Sequence, residues 1–233
     1  MEQNIKTVLI VDDESNIADV IKSYLENEGF KTLIAYNGAS ALEIFEKENP
    51  SLIILDLMLP DINGQDVCRI IRKRSNVPII MLTAKVEEED ILMGLDIGAD
   101  DYITKPFSPK QLVARVGALF RRVAGERDTL SGIMFFNNGD FIIDTLKHEV
   151  RIKQACIKLT PMEFKLLTTF AKYPLKVFTR EELITYVFGD DFDGFDRTVD
   201  THIKNLRQKI EVNPKSPMII KTVHGIGYKF GGE

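Results

Sequence analysis

Leu52-Ile53-Ile54-Leu55-Asp56 decides the fold class. An unbroken apolar run of this length, closed by an acid, reads as a strand of a parallel sheet covered on both faces. Working outward, runs of the same style recur at 7–11, 32–36, 77–82 and 102–104. Amphipathic stretches at 14–28, 38–48, 64–73, 87–97 and 108–122 follow them and predict helices. Five such β–α units predict an α/β domain built on a five-stranded, doubly wound parallel sheet.

Beyond residue 122 the style changes. Residues 123–130 lack periodicity and read as a linker. Short β-type runs at 133–136, 141–144, 149–152 and 156–159 then precede three candidate helices. Thr160-Pro161-Met162-Glu163 opens the first, with Thr as N-cap, Pro at the first helical position and Glu three residues after the cap. Thr179-Arg180-Glu181-Glu182 opens the second in the same manner, and Asp196 is the candidate cap of the third. Segments 219–223 and 227–230 form a hairpin around His224-Gly225. The expected division is a domain over 1–122, a linker over 123–130 and a second domain over 131–233.

With 233 residues, each domain can bury its own core. A content of 44% hydrophobic and 28% charged residues places the chain in the soluble, globular class. Residues 1–7 do not resemble a signal peptide, and no apolar stretch nears the roughly 18 residues of a spanning helix. The expected location is the cytoplasm, with no membrane partner. Cys68 and Cys156 fall in different halves, which excludes a disulfide framework or Cys-rich metal site. The net charge of −5 hides an asymmetry. Residues 1–122 carry 14 basic and 20 acidic side chains, and residues 123–233 carry 16 and 15. Within the second half, residues 196–229 hold seven basic side chains against three acidic. An acidic module is joined to one with a local basic stretch.

In an open α/β sheet, ligands bind beyond the carboxyl ends of the strands. Asp12 and Asp13 follow the first strand, Asp56 the third, Thr83 the fourth and Lys105 the fifth. Singly, each acid is as compatible with a solvated turn; the combination is not. Three crowded carboxylates repel one another unless cations compensate, and Lys105 with a divalent ion meets that need. Mg²⁺ suits the set, as a hard ion that takes one or two carboxylates and keeps water and phosphate oxygens. The chemistry such a set supports is phosphoryl transfer onto Asp56 as nucleophile, with Lys105 and the metal offsetting charge and the Thr83 hydroxyl donating a hydrogen bond. All three histidines, His148, His202 and His224, lie in the second half, so the first has no histidine acid–base group. A Mg²⁺-dependent phosphohydrolase with an accessory domain is the alternative from another class. It needs an acid–base carboxylate two residues after the nucleophile, where this chain has Met58. A DNA-binding regulator that is never phosphorylated is the third reading, disfavoured by the complete site.

The stretches Val8-Leu-Ile-Val-Asp12-Asp13-Glu14, Leu55-Asp56-Leu-Met58-Leu-Pro60, Leu82-Thr83-Ala84 and Gly98-Ala-Asp100-Asp101-Tyr102-Ile-Thr-Lys105-Pro106-Phe107 closely resemble receiver domains of two-component response regulators. The resemblance spans residues 1–122 and implies a flavodoxin-like fold. It implies that Asp56 accepts phosphate from a sensor histidine kinase, and that Asp12, Asp13, Asp56 and the Met58 carbonyl surround Mg²⁺. It further makes Thr83 and Tyr102 a switch pair, Thr83 moving toward the phosphate and the Tyr102 ring turning inward. The Lys105–Pro106 bond is expected to be cis.

In the second half, Val199, Ile203, Leu206 and Ile210 form one apolar stripe of a helix over 196–211. Arg197, Thr201, Lys204 and Gln208 recur at the same spacing displaced by two residues, with Asn205 beside them. Such a polar front can enter a major groove and read base edges. Two preceding helices and a following basic hairpin with Lys221 and Lys229 make a winged helix-turn-helix order. Arg197-Thr-Val-Asp-Thr-His202-Ile-Lys-Asn-Leu-Arg207 and Lys221-Thr-Val-His224-Gly-Ile-Gly-Tyr-Lys-Phe230 resemble the effector domains of OmpR/PhoB-type regulators over about 131–231. That resemblance implies DNA contacts by Arg197, His202, Lys204 and Arg207, and a wing that includes Lys221 and His224. Asn205 stands where many relatives carry a basic residue and is a candidate adenine reader; His224 often has an Arg counterpart. The acidic, aromatic loop 189–195 is the candidate contact for RNA polymerase.

The same resemblance implies a homodimer on phosphorylation, through the fourth and fifth helices and fifth strand of the receiver. Asp96, Asp100, Asp101, Arg115 and Arg122 match its salt-bridge pattern, whereas Ile91 and Gln111 replace a usual Lys–Glu pair. The paired form is expected on promoter sites made of two direct repeats, about one helical turn (~10 bp) apart.

Overall fold

The computed structural model describes residues 6–84, 94–124, 132–189 and 197–232, with the backbone alone for 121–124 and 197. The chain divides into two compact units, Met1–Phe120 and Arg121–Glu233.

In the first unit, β1 (Thr7–Val11), β2 (Lys31–Ala35), β3 (Leu52–Asp56), β4 (Ile79–Thr83) and β5 (Asp101–Thr104) form one sheet in the order β2-β1-β3-β4-β5. Every pairing in it is parallel. Every residue of β3 and β4 is buried, which is why neither strand alternates in polarity. The covering helices are α1 (Ser15–Asn27), α2 (Gly38–Glu48), α3 (Gly64–Arg72) and α4 (Pro109–Ala124). Of the helix expected at 87–97, residues 85–93 lie outside the described set, and 94–96 are helical. Strand β4 starts two residues later than expected. Pro78 has no N–H to donate, and the Val77 carbonyl accepts instead from the Arg72 guanidinium at 2.6 Å. Helix α4 runs to Ala124, so the first two residues assigned to the linker continue the helix; the others lie outside the described residues.

Cys68 sits on α3 against the core, and burial pushes its thiol up to about 11. Cys156 is exposed. At pH 8 a thiol reagent should therefore modify Cys156 in the native chain and reach Cys68 only on unfolding. Equal rates at both cysteines in native buffer would contradict this burial.

The second unit opens with the antiparallel sheet β6 (Ile133–Phe136), β7 (Phe141–Asp144), β8 (Glu149–Ile152) and β9 (Ala155–Ile157). Lys153 and Gln154 both take positive φ, the geometry of a two-residue hairpin turn. Ile152 consequently pairs with Ala155, and β9 ends before the residues that lead into the Thr160 cap. This accounts for its shift from the expected 156–159. Helices α5 (Pro161–Lys172), α6 (Arg180–Phe188) and α7 (Arg197–Ile210) follow. Both expected capping boxes form, Thr160 with Glu163 and Thr179 with Glu182. The Asp196 cap lies outside the described residues.

The wing has three strands rather than two: β10 (Val177–Thr179), β12 (Gly227–Phe230) and β11 (Ile220–Val223). A Cβ on Gly227 would stand 2.0 Å from the Phe178 carbonyl oxygen, so only glycine lets β12 approach β10. Val199, Ile203, Leu206 and Ile210 of α7 are all buried.

Candidate functional sites

The first site forms at the carboxyl edge of the parallel sheet, where strand order reverses between β1 and β3. Asp12 is fully buried, Asp56 is 2% exposed and Asp13 is exposed. One carboxylate oxygen from each lies within 4.8 Å of the others. The Lys105 ammonium donates to Asp12 Oδ2 at 2.9 Å and to Asp56 Oδ2 at 2.5 Å. The remaining oxygens face the backbone: Asp12 Oδ1 accepts from Glu14 N–H at 2.9 Å, and Asp56 Oδ1 from Met58 N–H at 3.0 Å. Gly64 lets α3 close over this corner, because a Cβ there would stand 2.1 Å from the Asp56 carbonyl oxygen. Lys105 N–H donates to the Thr83 carbonyl at 2.7 Å, which ties the lysine to the end of β4. The Lys105–Pro106 peptide is cis.

Burial raises the Asp12 pKa, and Lys105 opposes that rise without cancelling it. Burial pulls the Lys105 pKa down, but Asp56 and Asp12 outweigh it and hold the ammonium above its ordinary range. One ammonium offsets only one of three carboxylates. An all-oxygen, anionic pocket with one exposed member fits a hard divalent cation.

Thr83 is 3% exposed at the end of β4, whose Leu82 pairs with Asp56. Tyr102 is 8% exposed and its ring belongs to the core cluster. The Met58 side chain is 65% exposed, so only its backbone bears on the site.

The expected pairing surface needs correction. Asp100 is fully buried, and its Oδ2 accepts from Arg72 Nη2 at 2.9 Å and from Ile79 N–H at 3.0 Å. Arg72 also donates to the Gly98 carbonyl at 2.8 Å. A carboxylate consumed this way inside the subunit has no reach to a partner. Asp101 is 3% exposed and takes two bonds from Arg115 of the same chain, at 2.9 and 3.1 Å. Asp96 is exposed and Gln111 half-buried. Ile91 and the Arg122 side chain lie outside the described residues. Sequence reading missed Arg72 because a last-turn arginine of a helix is ordinarily a solvated one.

The second site is α7 with the wing. The expected polar front is narrower than its spacing implied. Thr201 is 9%, His202 2% and Asn205 8% exposed, because α5 and α6 both pack on α7. The Phe188 ring lies 5.5 Å from that of His202. Buried in this way, Thr201, His202 and Asn205 present no open face to a groove. Lys204 and Gln208 are exposed, as is His224 at the hairpin turn, and Lys221 is half-buried. Arg207 turns toward the wing: Nε and Nη2 donate to the Ile220 carbonyl at 3.0 and 2.7 Å, and Nη2 to Thr222 Oγ1 at 2.8 Å. The Arg197 side chain and the loop residues 190–195 lie outside the described residues. Among those described, no helix is long and apolar enough to cross a membrane.

Residues 8–117 match the family described as response regulator receiver domain, and residues 153–230 that described as transcriptional regulatory protein, C terminal. The DNA-binding response regulator MtrA of Mycobacterium tuberculosis is 44% identical over 224 residues, covering 96% of each chain. The sensory transduction protein RegX3 of Mycolicibacterium smegmatis is 42% identical, covering 97% of this chain and 99% of its own. Among solved structures, the response regulator DrrB of Thermotoga maritima, an OmpR/PhoB homolog, is 35% identical with a TM-score of 0.53 and coverage of 98% and 100%. A RitR mutant is 29% identical with a TM-score of 0.76, covering 97% of this chain and 98% of its own.

Proposed function

Because the chain belongs to the OmpR/PhoB-type response regulators, the DNA-binding transcription regulators of two-component systems, we propose that Asp56 is its phosphoacceptor and that phosphorylation pairs two chains on promoter DNA. The observation that carries this is the burial of Asp56 with Asp12 at the sheet edge, both held by one ammonium. A buried carboxylate oxygen so oriented is a poised nucleophile. Asp56 Oδ forms the bond to phosphorus as the bond from phosphorus to the kinase imidazole breaks, and the imidazole leaves. Lys105 then exchanges its contact with Asp56 for one with a phosphoryl oxygen. The Thr83 hydroxyl donates to another.

Asp12, Asp13, Asp56 and the Met58 carbonyl would hold Mg²⁺, which when bound offsets charge on the transferred group. Movement of Thr83 and Tyr102 alters the surface formed by the helical residues 94–96, β5 and α4, which carries Asp96, Gln111 and Arg115. Phosphate favours the paired state through that differential contact. Lys204 and Gln208 face the major groove, Arg197 is proposed as a further DNA contact, and the hairpin with Lys221 and His224 meets the flanking backbone. The loop 189–195 is offered to RNA polymerase. The chain works in the cytoplasm, where kinase and promoter both are.

Sedimentation of the full chain tests this reading. With Mg²⁺ and beryllofluoride it should pass from monomer to dimer, and Asp13→Ala should raise the Mg²⁺ needed for that passage about tenfold or more. A chain that stays monomeric at ~50 μM, well above the Kd of a standard interface, overturns the pairing.

A further inference from the structure

Asp200 lies on the half-exposed side of α7, one turn before Lys204. Its Oδ1 accepts two hydrogen bonds, from Arg180 Nε at 2.8 Å and from the Tyr228 hydroxyl at 2.7 Å. Arg180 opens α6 and Tyr228 belongs to β12, so one carboxylate oxygen joins three elements. The Tyr228 ring is 5% exposed, and the guanidinium groups of Arg180 and Arg207 each stand 5.4 Å from its centre. Burial and the bond to Asp200 push the Tyr228 phenol up to about 12, so it remains a donor at any working pH.

Seven residues on from Asp200, and so on the same helix face, Arg207 grips the other strand of the hairpin through the Ile220 carbonyl and Thr222 Oγ1. Two points of α7, about two turns apart, are thus tied to β12 and β11 respectively. Lys204 lies between them, and Lys221 pairs with Lys229 across the gripped hairpin. A helix held at one point can still rotate against its neighbour; one held at two points cannot. The basic groups of α7 and of the wing are therefore presented in one fixed arrangement, which lowers the ordering cost of engaging both at once.

We propose that Asp200 is a positioning residue for DNA recognition, locking the wing to α7 through Tyr228 and Arg180 so that both meet one duplex together. This rests on the reading above that α7 and the hairpin both contact DNA. The test uses the full chain in its beryllofluoride form, and a duplex that the wild-type chain selects from a random-sequence library. Hydroxyl-radical footprints and affinities across a KCl series are measured for wild type, Tyr228→Phe and Asp200→Ala. Tyr228→Phe removes one oxygen and leaves the ring packing in place.

It should weaken binding about tenfold, lose the wing protection while keeping that of α7, and flatten the salt dependence by about one unit for each phosphate that the wing no longer neutralises. Asp200→Ala should show the same selective loss. An unchanged footprint and slope for Tyr228→Phe overturns the proposal. So does equal loss of both protections, which marks a general folding role. A wild-type footprint that lacks the wing protection instead overturns the reading on which the proposal rests.

Discussion

Asp56→Asn should abolish phosphoryl incorporation from acetyl phosphate and Mg²⁺, a loss of about a thousandfold or more in rate, since the nucleophile itself is removed. The wild-type chain should take up one phosphoryl group, stable in acid and labile to base and to hydroxylamine, as an acyl phosphate is. The proposed choice of Asp56 over its neighbours rests on geometry. Asp12 shares the Lys105 ammonium, but at 2.9 Å against 2.5 Å for Asp56. Asp13 is exposed and is not among the Lys105 partners at this site. The amide of Asn is almost isosteric and removes one of several crowded negative charges, so the variant should fold at least as stably as wild type. Phosphate retained stoichiometrically by Asp56→Asn would place the acceptor elsewhere and end this assignment.

Asp100→Ala should destabilise the first unit by about 3–5 kcal/mol, the cost typical of stranding one partner of a buried ion pair. The substitution leaves the Arg72 guanidinium, 10% exposed, without its carboxylate, and Ile79 N–H without its acceptor. Asp96→Ala, at an exposed position, should change stability by no more than about 0.5 kcal/mol. With a slope near ~2 kcal/mol/M, the urea midpoint of the first unit should fall by about 2 M for Asp100→Ala and hardly move for Asp96→Ala. The pairing-surface reading of Asp100 predicts the reverse: unaltered monomer stability and a weaker dimer. Urea titration of the unphosphorylated chain separates the two, because no dimer contact contributes there.

The architecture of both units was legible because it rests on local, periodic signals. The run Leu52–Leu55 requires cover on both faces wherever it sits, and the Thr160 and Thr179 boxes close within four residues of chain. The apolar stripe of α7 is set by helical spacing alone, and the places of Asp12, Asp56, Thr83 and Lys105 by where the apolar strand runs end. Tertiary structure alone decided which polar residues were consumed internally. Asp100 and Asp96 are both acids near a strand, yet one is buried and meets Arg72 from 28 positions away while the other stays exposed. Asn205 and Lys204 are adjacent on one helix, and the packing of α5 and α6 buries the first and leaves the second open. Strand β10 spans three residues, too few for a period to show, and exists because Gly227 admits β12 against it. Local periodicity is a property of the chain. The partner that satisfies a buried charge or edge strand arrives from a distant segment, and only the folded arrangement supplies it.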